Sequence, residues 1–291
     1  MSTLRYNGAM RTYTPPQGTH TIRAQGMDFA CLRWGEQGPL VLLVHGFPDT
    51  AQTWDAVGPA LAADGFRVVA PFTRGYAPTA VPPDDRYDAD TLGADVAAII
   101  EALGESSAIV VGHDWGASAA YAAAALYPER VEKLVTAAIP HPASIKPTLG
   151  LLWGARHFVA FKLPGAARRF ARDDFSGVRT VYERWSPTHD WPEEEFEGVK
   201  NSFSAPGCLD AAMGYYRDLS ATPSPGVRKR ISVPTLILGG RDDGVATEAA
   251  FEASRSRFTG PVEIKMLPGG HFLHREHPAP FIAALRGFLR P

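Results

Sequence analysis

Gly112-His113-Asp114-Trp115-Gly116 is the stretch on which the reading of this chain turns. It keeps the spacing of the G-x-S-x-G nucleophile elbow, with an aspartate where the serine would stand. Upstream, Ser107-Ala108-Ile109-Val110-Val111 reads as a short buried strand, and downstream Ala117 to Leu126 reads as an alanine-rich helix. That is the strand–turn–helix context the motif requires. A serine must lose its proton in order to attack and typically takes an acyl carbon. An aspartate with a pKa of about 4 is already ionised at neutral pH and can displace a leaving group from an alkyl carbon. The residue type therefore points to cleavage of a carbon–oxygen or carbon–halogen bond rather than to esterase chemistry. Taken alone, the pentapeptide fits a plain helix N-cap equally well. The rest of the chain has to decide.

The 291 residues can bury a large core and fit one α/β domain with an insertion better than two independent domains. Lys and Arg number 29 against 31 Asp and Glu, a balance that implies neither a nucleic-acid nor a membrane-surface partner. Met1 to Gln17 has no apolar run, and no later stretch is long enough to span a bilayer. The two cysteines, Cys31 and Cys208, fall in a strand-like and a helix-rich segment and read as packing thiols. A cytoplasmic enzyme acting on a small molecule is expected, with the oligomeric state, homodimer included, left open.

Outward from the elbow, apolar runs bounded by Gly or Pro recur at Leu40 to Val44, Phe66 to Ala70, Ala108 to Val111 and Lys133 to Ala138, then at Pro234 to Leu238 and Val262 to Met266. Such runs are how parallel strands covered on both faces look. Between them Trp54 to Ala63 and Ala89 to Leu103 have helical periodicity, while Thr19 to Ala24 and Met27 to Trp34 alternate like an edge hairpin. From Pro140 to Gly226 the alternation stops, and aromatic, helix-like segments separated by Pro and Gly take over. The expected organisation is a core over 1–139 and 227–291 with a helical lid, 140–226, above the sheet's carboxyl edge. Most of the lid's aromatics should simply form its own small core.

With these residues in place the chain resembles the α/β-hydrolases, and among them the soluble epoxide hydrolases and the haloalkane dehalogenases. The resemblance rests on His45-Gly46-Phe47-Pro48, Arg74-Gly75-Tyr76, the elbow, Tyr215-Tyr216-Arg217, Gly240 to Asp243 and Gly269-Gly270-His271-Phe272, in that order. It implies a mostly parallel central sheet with helices on both faces and an inserted helical lid. Asp114 is then the nucleophile. His271, behind two glycines after the last strand, is the general base, a role an imidazole with a pKa near 6.5 can fill. The family's acid follows one of two strands. Ile139-Pro140-His141-Pro142 after the first offers no carboxylate; after the second, counting from Pro234 as in the family's strand, the resemblance implies Asp243 as the acid, with Asp242 as the fallback. The oxyanion hole implied is the backbone N–H of Phe47 and of Trp115, with a cis bond before Pro48. His271, His274 and His277 recur at a spacing of three without a cysteine cluster, and neither metal nor other cofactor is expected.

The leaving group separates the two families. An epoxide oxygen leaves as an alkoxide and needs a proton donor, whereas a halide needs N–H groups around it. Tyr216 matches one of the family's two lid tyrosines, and a phenol with a pKa near 10 suits the task. The position of the second falls on His157, which is compatible with a His/Tyr pair of donors and also with the haloacetate dehalogenases. Phe47 in place of asparagine, and the absence of arginines just after Asp114, lean towards the epoxide. Trp115, Phe47, Tyr215 and Trp153 are expected to line an apolar, aryl-accepting substrate site. A haloalkane or haloacetate dehalogenase is the alternative, and a non-catalytic binding protein of the same fold stands further behind.

Overall fold

The computed structural model describes residues 11–144, 156–220 and 222–289, with the backbone alone at 156–158. Its centre is an eight-stranded sheet of order β1-β2-β4-β3-β5-β6-β7-β8. The strands are β1 His20–Ala24, β2 Met27–Trp34, β3 Leu40–Val44, β4 Arg67–Pro71, β5 Ala108–His113, β6 Val131–Ala137, β7 Thr235–Gly240 and β8 Val262–Leu267. β1, β2 and β4 pair antiparallel, and every pairing from β4 through β3 to β8 is parallel. The apolar runs are strands because the middle of the sheet is covered on both sides: all five residues of β3 and all six of β5 are buried. The edge hairpin alternates instead, with Ile22 and Ala24 inward and His20, Thr21 and Arg23 outward.

The connections are helical: α1 Val57–Ala63, α2 Ala89–Ala102 and α3 Trp115–Leu126. The stretch read as one helix from Trp54 is a 3₁₀ turn, Ala51–Trp54, followed by α1. Thr50 caps the amino end of that turn, its hydroxyl accepting the Gln52 N–H. Between β6 and β7 the chain builds α4 Arg156–Lys162, α5 Ala166–Phe170, α6 Arg172–Trp185, α7 Glu197–Ser204, α8 Cys208–Arg217 and α9 Pro225–Arg228, and after β7 it adds α10 Glu248–Ala253, α11 Leu273–Glu276 and α12 Pro278–Leu289. Within the first group α6 kinks where Asp173, Asp174 and Phe175 take positive φ. No helix among the described residues is long and apolar enough to cross a membrane. Both cysteines are buried free thiols.

Strand order places the functional candidates. β4 lies on one side of β3 and β5 on the other, so the connections out of the carboxyl ends of β3 and β5 diverge and leave a crevice between them. Phe47 follows β3 and Asp114 follows β5, at the two lips of that crevice, while Asp243 and His271 follow β7 and β8 along the same edge.

One buried ion pair fastens the loop after β4. Arg74 Nε and Nη2 donate to Asp95 Oδ2 and Oδ1 at 2.5 and 2.6 Å, and Nη1 donates to the Arg86 carbonyl at 2.8 Å. Asp95 stands on the inward face of α2 among Leu92, Val96 and Ile99. Removing one member strands the other charge in an apolar setting, so Asp95→Ala should lower unfolding free energy by about 3–5 kcal/mol. Urea denaturation of the variant checks this, and a loss near 0.5 kcal/mol, the figure for an exposed pair at about the middle of its range, would refute the burial argument.

Candidate active site

Asp114 sits between β5 and α3 at φ 52, ψ −119, a backbone region that a non-glycine residue enters only under strain. Its carbonyl accepts the N–H groups of Ala117 and Ser118 at 2.9 and 3.1 Å and so starts α3. Its side chain makes no capping hydrogen bond. The N-cap alternative is therefore not what this carboxylate does. Glycine on either side is a matter of space: a Cβ on Gly112 would lie 2.2 Å from the Gly116 carbonyl oxygen, and one on Gly116 would lie 2.1 Å from that of Val44. Gly46 is bound by the same logic, since a Cβ there would meet Asp114 Cβ and Oδ1 at 2.4 Å.

That clearance lets the β3 loop reach the carboxylate. Phe47 N–H donates to Asp114 Oδ1 at 2.7 Å, and the Phe47-Pro48 bond is cis. The other oxygen, Oδ2, lies 3.3 Å from His271 Nε2. On the far side of the ring, His271 Nδ1 faces Asp243 Oδ2 and Oδ1 at 3.1 and 3.3 Å. Asp243 Oδ1 also accepts the N–H groups of Val245 and Ala246 at 2.6 and 3.3 Å, which fixes its plane. It is thus Asp243 and not its exposed neighbour Asp242 that meets the histidine.

Burial alone would push the His271 pKa down, but the charge of Asp243 and the hydrogen bonds and charge of the two carboxylates outweigh it and raise the pKa to about 10. Burial alone would raise Asp114, but the hydrogen bond and charge of His271, with help from His113 and the Phe47 N–H, hold it below the usual carboxylate range. At neutral pH the resting pair is carboxylate and imidazolium. Behind it, His113 Nε2–H donates to the His271 carbonyl at 2.9 Å, and burial lowers His113 to about 4, so that ring is neutral.

Aromatic rings close over the carboxylate. Phe47 packs edge-on to Phe161 and Tyr216 at centroid distances of 5.3 and 5.1 Å, and Tyr216 packs against Trp115 at 5.3 Å. Tyr216 is fully buried, and that burial together with the Asp114 charge raises its phenol well above 10, so it stays protonated. Trp115 is the first residue of α3, where an N–H has no acceptor within the helix. Tyr215, expected to line the substrate site, turns its hydroxyl away to the Arg74 carbonyl at 2.9 Å and backs the Trp115 ring at 5.7 Å. It supports Trp115 and is not brought to the carboxylate. His157 lies in α4, but its side chain is outside the described residues, as is the whole of Trp153.

A family model for the alpha/beta hydrolase fold matches residues 39–278. The chain belongs to the α/β-hydrolase superfamily. Epoxide hydrolase 3 of Mus musculus is 31% identical over 291 residues, spanning 97% of this chain and 77% of that one. Epoxide hydrolase A of Mycobacterium tuberculosis is 29% identical over 309 residues, spanning 92% of this chain and 96% of that one. The crystal structure of Bacillus megaterium epoxide hydrolase in complex with an inhibitor matches with a TM-score of 0.83 at 25% identity, covering 93% of this chain and 99% of that one. This α/β hydrolase is an enzyme of the epoxide-hydrolase-like kind.

Several residues of the site escaped sequence reasoning. Ser186, Glu276, Phe161, Phe170 and Phe203 all stand around the histidine turn or the aromatic roof, and nothing in their local sequence marks them. Asp95 did carry a signal, an acid on the apolar stripe of α2. Two groups in this α/β hydrolase have metal-ligand proximity among the described residues. Asp174, Glu193 and Glu197 are exposed and already paired with Arg11 and Lys200. Asp49, His113 and His274 are buried, each offering an atom within 4.8 Å of the others. Arg275 Nη1 stands 3.6 Å from Asp49 Oδ1, and the cationic His271 ring packs on His113 at 5.3 Å. Positive charge on both sides opposes a dication there.

Proposed function

We propose that this α/β hydrolase opens an apolar epoxide, aryl-bearing ones included, to a vicinal diol through a covalent aspartyl ester. The observation that carries the reading is the Asp114 carboxylate, ionised and held between the Phe47 N–H and His271, with Asp243 behind the ring. Asp114 attacks a ring carbon, the carbon–oxygen bond breaks, and the departing alkoxide takes the Tyr216 proton, with His157 as the second donor. Ester formation removes the Asp114 charge that helps hold the proton on His271. The imidazolium then returns a proton to Tyr216 through solvent and becomes the base. Water loses one proton to His271 and attacks the ester carbonyl, while the amides of Phe47 and Trp115 stabilise the oxyanion. Collapse expels the diol oxygen, which takes the second water proton, and carboxylate and imidazolium are restored. Residues 140–226 act as the lid. Two buried free thiols suit a reducing compartment, and we place the enzyme in the cytoplasm.

A single turnover of styrene oxide in heavy-oxygen water, with enzyme in excess, tests the covalent route. The first diol should carry an oxygen from Asp114 and none from solvent. Label in that first diol would remove Asp114 from the nucleophile role. Halide released from a haloalkane or haloacetate, with no diol from the epoxide, would favour the dehalogenase instead. Tyr216→Phe should slow ester formation about 10²-fold and leave ester breakdown near the wild-type rate. Equal slowing of both steps, read by rapid quench, would deny Tyr216 the role of donor.

A further inference from the structure

The acid turn and the base turn come from different strands, so the alignment of Asp243 with His271 also depends on the backbones that carry them. Those backbones meet at one step of the helical lid. The Trp185 carbonyl, at the end of α6, accepts both the Gly244 N–H at 3.0 Å and the His271 N–H at 3.1 Å. The next residue continues the tie: Ser186 Oγ accepts the Phe272 N–H at 3.2 Å and donates to Glu276 Oε1 at 2.6 Å. Glu276 Oε2 in turn accepts the Gly270 N–H at 2.7 Å. Three consecutive amides, at 270, 271 and 272, are therefore held by the lid step or by Glu276. Both side chains are buried, Ser186 at 0% and Glu276 at 8% exposure. Burying a carboxylate is costly unless its oxygens are satisfied, and here the donors are the serine hydroxyl and the base turn itself.

We propose that Ser186 and Glu276 are positioning residues through which the lid holds His271 in line with Asp243 and Asp114. This rests on the epoxide-opening reading above, in which His271 acts as base only after the ester has formed. Displacing a reacting group by about 1 Å costs on the order of 10²-fold in rate. The loss should therefore fall on ester breakdown, while ester formation, which uses Asp114 and Tyr216, is spared.

Wild type, Ser186→Ala, Glu276→Gln and Glu276→Ala are compared with styrene oxide by rapid quench and intact-protein mass. In Ser186→Ala and Glu276→Ala, ester breakdown should slow about 10–100-fold with formation within about threefold of wild type, the ester should accumulate, and kcat and KM should fall together. Glu276→Gln keeps the shape and one acceptor oxygen and should recover part of the rate. A merely structural role would reduce the fraction of folded protein and leave both rate constants of that fraction unchanged. Breakdown at the wild-type rate in the folded fraction of Ser186→Ala and Glu276→Gln overturns this proposal alone, whether or not Glu276→Ala folds. Solvent oxygen in the first diol of a wild-type single turnover overturns the epoxide-opening reading and this proposal with it.

Discussion

With His271 replaced by glutamine, this α/β hydrolase is expected to consume about one equivalent of epoxide and then stop, as an enzyme does when its covalent intermediate cannot break down. Glutamine approximates the volume of the ring and can still donate to Asp243, but it cannot take a proton from water. Asp114 keeps the Phe47 N–H on Oδ1 at 2.7 Å and Tyr216 stays packed on the Phe47 ring, so the ester can form. Breakdown then depends on the oxyanion amides alone and should fall about 10³-fold or more, within the range that general-base catalysis supplies. Intact-protein mass after mixing with excess styrene oxide should show one added epoxide per chain, persisting for hours. Steady turnover by His271→Gln would mean that another group activates the water. Unmodified protein with no product would mean that His271 is needed for the first step, and the division of labour proposed here would fail.

What was legible in the sequence follows from how local each feature is. β3 is five apolar residues and β5 opens on four, each between turn signals, and short runs so bounded favour strands buried on both faces. The elbow was legible because its glycines answer steric demands within a few residues. The start of α3 at Trp115 rather than Ala117 was not, since it depends on the Asp114 backbone entering positive φ. β6 likewise ends at Ala137, one residue before the apolar run does, because Ala138 turns to φ 68. Asp242 and Asp243 are the same residue type, so only their position relative to the strand favoured Asp243; in the fold the Val245 and Ala246 amides hold the Asp243 carboxylate. The segment between β6 and β7 was legible only as helical and aromatic. Whether Tyr215 or Tyr216 faces the carboxylate depends on the rotation of α8, which the Arg74 carbonyl fixes by engaging one of the two hydroxyls. Ser186 lies 90 residues from Glu276 along the chain, and no local pattern encodes such a pair.

Replacing Asp114 with asparagine should do more than remove the nucleophile. Turnover should fall by about 10⁴-fold or beyond, the scale set by deleting a member of a nucleophilic constellation, because an amide will not displace an alkoxide. Asparagine also resembles the ester in being neutral at the same place, so the variant reports on His271 as the proposed intermediate would see it. In the wild type the His271 pKa is raised from 6.5 to about 10, so the folded protein binds a proton more tightly than the unfolded chain does. The stabilisation this gives is complete below pH 6.5 and is lost as pH rises through about 10. Asp114→Asn takes away one of the two carboxylates that hold the proton, leaving Asp243 against the burial that opposes it. The His271 resonance should then titrate below the wild-type value in NMR, and the alkaline loss of stability should be smaller and finish at a lower pH. An unchanged titration in Asp114→Asn would mean that Asp243 alone sets the histidine's charge. Ester formation could not then release the base, and the proton that primes water attack would have to leave by another route.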